Sequence, residues 1–317
     1  MELPSTLIID KIPDEFIGKR FDSYLPMVLK NYSRSQIKKY IENEYILIDK
    51  KPFKPSRIIS GGEKIFVNIP PSLPADIAAE DIELEVIYED KDIIVVNKPA
   101  GLTVHPGAGV KNGTLVNALL FKVADLSGIG GEIRPGIVHR LDKGSSGLIV
   151  AAKNDYSHRS LSDQFKNRTV KKEYVAVVVG EMKKSSGIFD KPITRDPNNR
   201  VKMTTKLLDG RASLTNWEVI KRYRGYTFVK AEPKSGRTHQ IRVHFAEGGF
   251  PLLGDNVYGN NRSKHFGETN LKNLISRQAL HAVKLSFRHP FTQELLQFEA
   301  PIPGDIKSVL EFLEEKS

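Results

Sequence analysis

The stretch "GIVHRLDKGSSGLIVAAK", residues 136–153, places a single acidic residue, Asp142, in a polar gap between two apolar runs. Ile137 and Val138 precede the gap, and residues 148–152 follow it as a short apolar run, which is typical of a buried strand. The sequence therefore predicts that a loop leading into a strand presents one carboxylate.

Two cations, Arg140 and Lys143, flank Asp142 in the sequence. Nearby cations favour the ionised form of a carboxylate, which is a poor proton donor but a usable nucleophile or electrostatic partner. The alternative is a purely structural ion pair of Asp142 with Arg140 or Lys143, since most charges in loops do no chemistry. The loop alone leaves both interpretations open.

Length and composition restrict the class of protein. The chain has 317 residues, enough for two domains, and its hydrophobic content of 39% is ordinary for a globular protein. It has no apolar run of about 18 residues and no secretory signal at its N-terminus. Cysteine is absent, which excludes disulfides and thiolate metal sites and fits a reducing compartment. We therefore expect a cytoplasmic protein that does not span a membrane.

Charge is unevenly distributed along the chain. Residues 1–95 hold 13 Lys and Arg against 17 Asp and Glu, whereas the remaining residues carry a net charge of +14 and bring the total to +10. A portion this basic indicates a polyanionic partner such as RNA, the alternative being a solvated surface that keeps the protein soluble.

Composition also predicts a domain boundary. The segment "IPPSLPADIAAE" is rich in proline, which disfavours helix and strand interiors, and it turns acidic. We predict a small domain over residues 1–70, a linker over residues 71–82 and a larger domain over residues 83–317.

The predicted small domain contains clear local signals. "SRSQIKKYI" begins with a capping-box pattern, Ser33 and Gln36, and repeats apolar residues with helical spacing. A helix near residues 21–30 precedes it, and the strand patterns "YILID" and "KIFVNI" follow. These elements predict an α/β domain that binds RNA phosphates, the alternative being a packing or dimerisation domain. The basic residues expected to contact RNA are Arg34 and Lys38.

Four segments of this domain, "RFDSYL", "SRSQIKKYI", "ILIDKKPFKPS" and "GGEKIFV", resemble the small RNA-binding domain named after the fourth protein of the small ribosomal subunit. The resemblance covers most of the small domain without insertions. It departs at Glu44, where that domain commonly has glycine in the turn before the first strand.

Residues 83–317 alternate strand patterns with glycine-rich breaks. Strands are predicted in "IIVV", "EYVAVVVGEM", "LTNWEVIKRY", "YTFVKAEP", "QALHAVKLSFRHP" and "LLQFEAPIP", and helices in "LVNALLFKVA", "DYSHRSLSDQFKN" and "DIKSVLEFLEE". This pattern predicts an α+β domain with a mixed, largely antiparallel sheet. No dinucleotide-binding or P-loop motif is present.

Several polar residues of this domain are candidates for chemistry. Tyr174 begins a predicted strand, where it could stack on a base and offer a hydroxyl, or pack on the core. "SGRTHQIRVHF" carries Arg237 and Arg242, which would face different directions if the segment is helical. Its His239 and His244 form a weak zinc signature without a neighbouring acid or cysteine, so no metal site is expected.

Two further segments are candidates for binding. "ITRDPNNRVKMTT" is a basic loop, with Arg195, Arg200 and Lys202, suited to phosphates or to solvent. "PLLGDNVYG" supplies Gly254 and Gly259, which permit close backbone approach.

The motif "HRLDKGSSGLIVAAK" resembles the signature of pseudouridine synthases of the RluA/RluD type. Six further matches follow the family's order: "NKPAGLTVHPG", "KEYVAVVVG", "RDPNNRVKM", "SGRTHQIRVHF", "PLLGDNVYG" and "QALHAVKLSFRHP". Together they span residues 97–290, and with the small domain the layout resembles the ribosomal-RNA branch of that family. The departures are Gly144, where many members have Asp, and Ser145, where Thr is usual.

This resemblance implies an isomerase that converts uridine to pseudouridine within RNA and needs no cofactor and no metal. It implies that Asp142 is the catalytic aspartate, that Arg242 pairs with it, and that Tyr174 stacks beneath the uracil. Arg140 would fill the space left by the flipped nucleotide, whose unstacking costs a few kcal/mol, and Ile241 would contact the base. The other expected RNA contacts are Arg237, His239, Arg200 and Lys202.

Three alternatives remain: a non-catalytic RNA-binding ribosome assembly factor, a synthase directed at transfer RNA, and a hydrolase that uses Asp142 with a metal. We expect large-subunit ribosomal RNA as the substrate and a monomeric enzyme. The sequence does not decide whether Asp142 forms a covalent adduct with the sugar.

Overall fold

The computed structural model describes residues 7–29, 32, 34–69, 77–107, 109–123, 126, 135–199, 201–207, 209–259 and 269–316. The chain forms two compact units, residues 1–73 and residues 74–317. Within the described ranges, no helix is both long and apolar enough to cross a membrane.

The first unit combines a three-stranded antiparallel sheet with two helices. The elements are β1 (Leu7–Ile9), α1 (Phe21–Val28), α2 (Arg34–Glu42), β2 (Ile46–Ile48) and β3 (Ile65–Val67), and the strands lie in the order β1-β3-β2. Apolar residues at helical spacing are buried in its core: Phe21, Leu25, Ile37 and Ile41. The predicted helices and two predicted strands are confirmed, whereas β1 was not indicated by the sequence. Ser33, and with it the predicted capping box, lies outside the described residues.

Glu44, which departs from the usual glycine, lies in the turn after α2. Glu44 has a φ of 61°, in the left-handed region, and the backbone N–H of Tyr45 donates to the carbonyl of Tyr40 at 2.9 Å. This geometry is typical of a helix C-terminus, where glycine is favoured because it has no Cβ. Glu44 therefore strains the turn.

We expect Glu44→Gly to increase the free energy of unfolding of the first unit by about 1 kcal/mol, because the strain of the left-handed conformation is relieved. Hydrogen exchange of the β2 amides would measure the change. Glu44→Ala is the control, since it removes the carboxylate but keeps the Cβ. Equal stabilisation by alanine would show that charge, rather than backbone strain, is responsible.

The second unit is built around one large sheet. Its strands are β4 (Glu85–Glu89), β5 (Ile93–Lys98), β6 (Ser146–Ala152), β7 (Lys171–Val179), β8 (Ser186–Asp190), β9 (Thr194–Arg195), β10 (Met203–Thr204), β11 (Leu214–Tyr223), β12 (Tyr226–Pro233), β13 (Leu280–Arg288) and β14 (Leu295–Glu299). Its helices are α3 (Leu115–Lys122), α4 (Asp155–Lys166), α5 (Gln240–Glu247), α6 (Thr269–Leu274) and α7 (Gly304–Glu315).

The sheet has the order β4-β5-β6-β13-β7-β12-β11-β8, and β14 pairs with β13. Among the described strands, only the pair β6–β13 is parallel. The predicted mixed, largely antiparallel sheet is therefore confirmed. The acidic β4 and the short β8 were not predicted, and part of the predicted basic loop forms the two-stranded ribbon of β9 and β10.

The central strand β7 is buried on both faces, which explains its continuous apolar sequence. Alternate residues point to opposite faces of a strand. Tyr174, Ala176 and Val178 share one core with residues of α3 and α5, whereas Val175 and Val177 share another with residues of α6 and α7. Tyr174 therefore lies on the α5 face of the sheet.

Candidate active site

Asp142 lies in a turn that ends directly before β6. The backbone N–H of Ser145 donates to the Asp142 carbonyl at 3.0 Å, and the N–H of Gly101 donates to the Lys143 carbonyl at 2.8 Å. Arg140 and Lys143 are exposed, and neither pairs with Asp142 in the described part of the chain. The local ion pair considered from the sequence therefore does not form.

Lys98 supports the backbone segment that contacts this turn. Its side chain is fully buried, and its Nζ donates to the carbonyls of Pro99 at 2.8 Å and Leu102 at 2.9 Å. Burial, together with the nearby charge of Arg277, lowers the pKa of Lys98 to about 7. Lys98 thus fixes the segment from which Gly101 bonds the Asp142 turn.

The partner of Asp142 is Arg242, on α5. Arg242 Nη1 donates to Asp142 Oδ2 at 3.0 Å, while its Nε and Nη2 donate to the two carboxylate oxygens of Asp255 at 2.7 and 2.9 Å. Asp255 also accepts the backbone N–H groups of Val257 and Tyr258. Bidentate bonding fixes the plane of a guanidinium. Asp255 therefore aims Arg242 at Asp142.

Electrostatics keep the Arg242–Asp255 pair charged despite burial. Burial disfavours the Arg242 cation, but the hydrogen bonds and charges of Asp255 and Asp142 outweigh it, so the pKa of Arg242 is raised. Burial likewise opposes the Asp255 anion, yet Arg242 and two backbone N–H groups hold the pKa of Asp255 below its usual value. The guanidinium therefore stabilises the negative charge of Asp142 without giving up a proton.

Tyr174 adds a neutral phenol to the same pocket. The residue is 9% exposed, and burial, with the negative charge of Asp142, raises the pKa of its hydroxyl well above the ordinary value. The aromatic ring offers a stacking surface, and its hydroxyl remains protonated.

His239 precedes α5 and lies at the edge of this site. Its φ of 56° is left-handed, and its Nε2 is 3.9 Å from Asp142 Oδ2. The Tyr258 hydroxyl accepts the Met203 N–H at 2.8 Å and lies 2.8 Å from His239 Nδ1. A hydroxyl that donates to Nδ1 leaves the proton of the neutral imidazole on Nε2, which faces Asp142. Burial lowers the pKa of His239 and favours this neutral form.

One cavity of roughly 440 Å³ collects most of the residues that the sequence singled out. Its lining includes Arg140, Asp142, Tyr174, Arg237, His239, Ile241 and Arg242. This volume falls in the range of small-ligand sites.

Three other predicted contacts do not line this cavity, and a fourth lies outside the described residues. Lys202 is partly buried beside the β9–β10 ribbon, and Arg200 lies outside the described residues. In the first unit, Arg34 is 3.1 Å from Asp22, and Lys38 is 3.7 Å from Glu42. The lining of the cavity includes none of these described side chains.

Sequence reasoning missed the roles of Asp255 and Tyr258. Both belong to "PLLGDNVYG", which was considered for its glycines and as a family match but not for these two residues. Gly254 has a φ of 73°, and a Cβ there would collide with the Arg277 backbone, so the predicted close approach holds at this residue. A lone acid in an otherwise uncharged, apolar segment was the available signal, since such a charge is rarely buried without a partner.

His239, directly before α5, and His244, on α5, bond different partners. His244 bonds the Thr215 hydroxyl and the Lys191 carbonyl, whereas His239 bonds the Tyr258 hydroxyl. A separate cluster, Asp90, Asp92 and His289, is compact enough to hold an ion.

Hydrogen bonding at His289 disfavours metal binding by that cluster. Its Nδ1 accepts the backbone N–H groups of Phe291 and Thr292 at 3.2 and 3.1 Å, so the proton of the neutral ring lies on Nε2. That N–H donates to Asp90 at 2.9 Å. A metal on Nε2 would require a proton on Nδ1, which faces two donors.

Comparison with known proteins identifies the family of this chain. A family model described as RNA pseudouridylate synthase matches residues 92–247. A Bacillus subtilis protein named uncharacterized RNA pseudouridine synthase YlyB is 41% identical over 300 residues, covering 95% of this chain and 96% of that protein. A Neisseria meningitidis protein named ribosomal large subunit pseudouridine synthase D is 44% identical over 306 residues, covering 95% and 80%.

Solved structures share the fold. Human RNA pseudouridylate synthase domain containing 4 has a TM-score of 0.57 and 26% identity, covering 73% of this chain and 93% of that one. Human RNA pseudouridylate synthase domain containing 1 has a TM-score of 0.55 at 23% identity, with 73% and 95% covered, and shows the fold alone. With relatives above 40% identity across 95% of its length, the chain belongs to the RNA pseudouridylate synthase family of isomerases.

Proposed function

We propose that this protein converts specific uridines of large-subunit ribosomal RNA to pseudouridine. The observation that carries the proposal is the Asp142 carboxylate, held 3.0 Å from a fixed guanidinium in a pocket that Tyr174 also lines. The net charge of +14 beyond residue 95 supports an RNA substrate. The name of the Neisseria relative supports the large ribosomal subunit.

The reaction exchanges one bond to the ribose for another. The bond between uracil N1 and ribose C1′ breaks, a bond from C5 to C1′ forms, C5 loses a proton and N1 gains one. Arg242 and His239 lie beside Asp142 Oδ2, which leaves Oδ1 to face the sugar. Asp142 thus places a negative oxygen where positive character develops at C1′, and Arg242 preserves that charge.

The other lining residues suit a flipped nucleotide. Tyr174 provides a face for the uracil, and Ile241 provides an apolar contact to it. Arg140, exposed at the pocket, would occupy the space that the nucleotide vacates. Arg237 and His239 would hold the strand at the pocket edge.

We assign RNA binding to residues 1–70, a linker role to residues 71–82 and catalysis to residues 83–317. The first domain would contact RNA phosphates through Arg34 and Lys38, in the manner of the ribosomal-protein-like domain that it resembles. We further propose a cytoplasmic monomer that needs neither metal nor cofactor.

Pseudouridine mapping of total RNA from a deletion strain tests the function. We expect sites in large-subunit ribosomal RNA to disappear, to return with the wild-type gene, and to stay absent with Asp142→Ala. Sites lost from transfer RNA instead would favour that substrate, and an unchanged map would favour the non-catalytic assembly factor. Inhibition of the purified enzyme by EDTA would favour the metal-dependent hydrolase.

The departure at Gly144 gives a sharper test of how the Asp142 turn is positioned. Arg277 Nη1 donates to the Gly144 carbonyl at 3.1 Å, and Gln278 Nε2 donates to the Ser145 hydroxyl at 3.3 Å. A Cβ on Gly144 would lie 2.5 Å from Gln278 Oε1. The turn therefore packs against the Gln278 side chain at a residue that has no Cβ.

We expect Gly144→Ala to lower kcat about 10-fold, because even small displacements of a catalytic group are costly. The compensating variant Gln278→Ala should restore most of the loss when combined with Gly144→Ala. Single-turnover pseudouridine formation would measure both. If the second substitution gave no recovery, the collision with Gln278 would not be the cause.

A further inference from the structure

Lys172 lies two residues before Tyr174 on β7, so both side chains point to the same face of the sheet. Both line the cavity that contains Asp142. The described lining of this cavity includes seven lysines and arginines but only one carboxylate, that of Asp142, which Arg242 already binds. The mechanism above does not use Lys172.

The surroundings of Lys172 Nζ supply little compensation for its charge. Nζ donates to the Ser235 carbonyl at 3.2 Å and lies 5.9 Å from the centre of the Phe165 ring. No carboxylate of the described residues lies within ion-pairing distance of it. The side chain is partly buried, and burial lowers the pKa of Lys172 to about 8.

Three nearby lysines have the carboxylate partner that Lys172 lacks. Lys230 pairs with Glu218 at 2.7 Å, Lys234 with Glu232 at 3.0 Å, and Lys284 with Glu299 at 3.5 Å. A desolvated cation without a counter-ion is unfavourable unless a ligand supplies the negative charge. Of these four lysines, only Lys172 has no carboxylate partner among the described residues, and it lines the catalytic cavity.

We propose that the Lys172 ammonium binds a phosphate oxygen of the RNA strand next to the nucleotide that enters the pocket. This inference rests on the proposed function and adds a substrate-binding residue to it. A phosphate carries the full negative charge that Lys172 lacks, and every nucleotide of an entering strand brings one. Gly236 places no side chain beside Nζ, since a Cβ added there would lie 3.9 Å from it.

Steady-state kinetics of Lys172→Met provide the first test, on a short RNA hairpin that carries a uridine identified by the mapping experiment. Because a hydrogen bond to a charged group is lost, we expect KM to rise about 10- to 100-fold while kcat changes less than about threefold. Lys172→Arg should keep most of the affinity. Lys171→Met, an exposed neighbour outside the cavity, is the matched control and should behave as the wild type.

A scan with neutral methylphosphonate linkages identifies the phosphate. Replacing one linkage beside the target uridine should weaken wild-type binding about as much as Lys172→Met does, and the two changes together should cost little more than either alone. Additive losses at every linkage would overturn the proposal. The scan on the wild type also tests the contact if Lys172→Met fails to fold. Unchanged RNA binding with a methylphosphonate at each flanking linkage would then contradict the contact.

The pH dependence separates Lys172 from its charged neighbours. Among the charged or titratable residues that line the same cavity as Lys172 are Lys166 on α4, Arg168 after it, His139 before Asp142, and Lys234 and Arg237 after β12. Deprotonation of Lys172 should weaken RNA binding as the pH rises through about 8, whereas Lys172→Arg should remove this loss.

The outcomes distinguish this inference from the function on which it rests. A wild-type enzyme that isomerises no uridine refutes the proposed function. An active wild type whose Lys172→Met variant keeps its KM, or loses only kcat, refutes the phosphate contact and leaves the proposed function intact.

Discussion

The Asp142→Asn enzyme should form almost no pseudouridine, with kcat reduced at least about 10⁴-fold, as for loss of a catalytic nucleophile or charge. The amide has nearly the same shape, and its oxygen can still accept the hydrogen bond from Arg242. We therefore expect RNA affinity and folding to change little. Tritium release from RNA labelled at uridine C5 measures the reaction, because isomerisation displaces that hydrogen.

Asp163→Asn is the matched control, since Asp163 is an exposed acid on α4 outside the cavity. It should retain wild-type activity. Substantial turnover by Asp142→Asn would mean that another group acts on the sugar, and weakened RNA binding alone would mean that Asp142 serves recognition.

Replacing Arg242 should damage both catalysis and stability. Arg242→Gln leaves Asp255, whose side chain is fully buried, without its cationic partner. We expect about 3–5 kcal/mol less stability, as for other broken buried ion pairs. Asp142 also loses the guanidinium that stabilises its negative charge, so kcat should fall at least about 10³-fold. Urea unfolding and tritium release measure the two effects separately.

A double variant separates these contributions. Adding Asp255→Asn to Arg242→Gln removes the unpaired buried charge, so stability should partly recover while activity stays lost. Arg242→Lys keeps a charge but cannot bond Asp142 and both oxygens of Asp255 as a planar fork, so its activity should also be low. If Arg242→Gln is as stable as the wild type, Asp255 is not held by this ion pair.

Local patterns predicted much of the fold because they depend on neighbouring residues. The apolar run of β7 and the helical spacing in α2 indicate their elements directly, since burial on two faces or on one stripe dictates composition. The pairing of β6 with β13 was not predictable in this way. It joins segments that are far apart in the chain and depends on packing of the whole sheet.

The candidate site also combines features that the sequence predicted with features that it did not. The sequence drew attention to Asp142, Tyr174 and Arg242 by their segments, and family resemblance implied that Arg242 pairs with Asp142. The loop by itself also allowed a purely structural ion pair of Asp142 with the adjacent Arg140 or Lys143. Those side chains are exposed, because neighbours along a loop need not converge on a common point. The contact of Asp255 with Arg242 was missed for the related reason that Asp255 is close in sequence to neither Asp142 nor Arg242.

By itself, the sequence determined the strands and helices that it predicted and a loop that presents one carboxylate, because periodicity and turn chemistry are encoded locally. The charges along the chain left open which of them meet; family resemblance implied the pair of Arg242 with Asp142, and only the tertiary structure added Asp255 to it. Arg242 reaches Asp142 across 100 residues of chain, and Asp255 fixes it from the opposite side. The physical reason is that an electrostatic partnership depends on distance and burial in three dimensions, which α5 and the sheet establish only when they pack together.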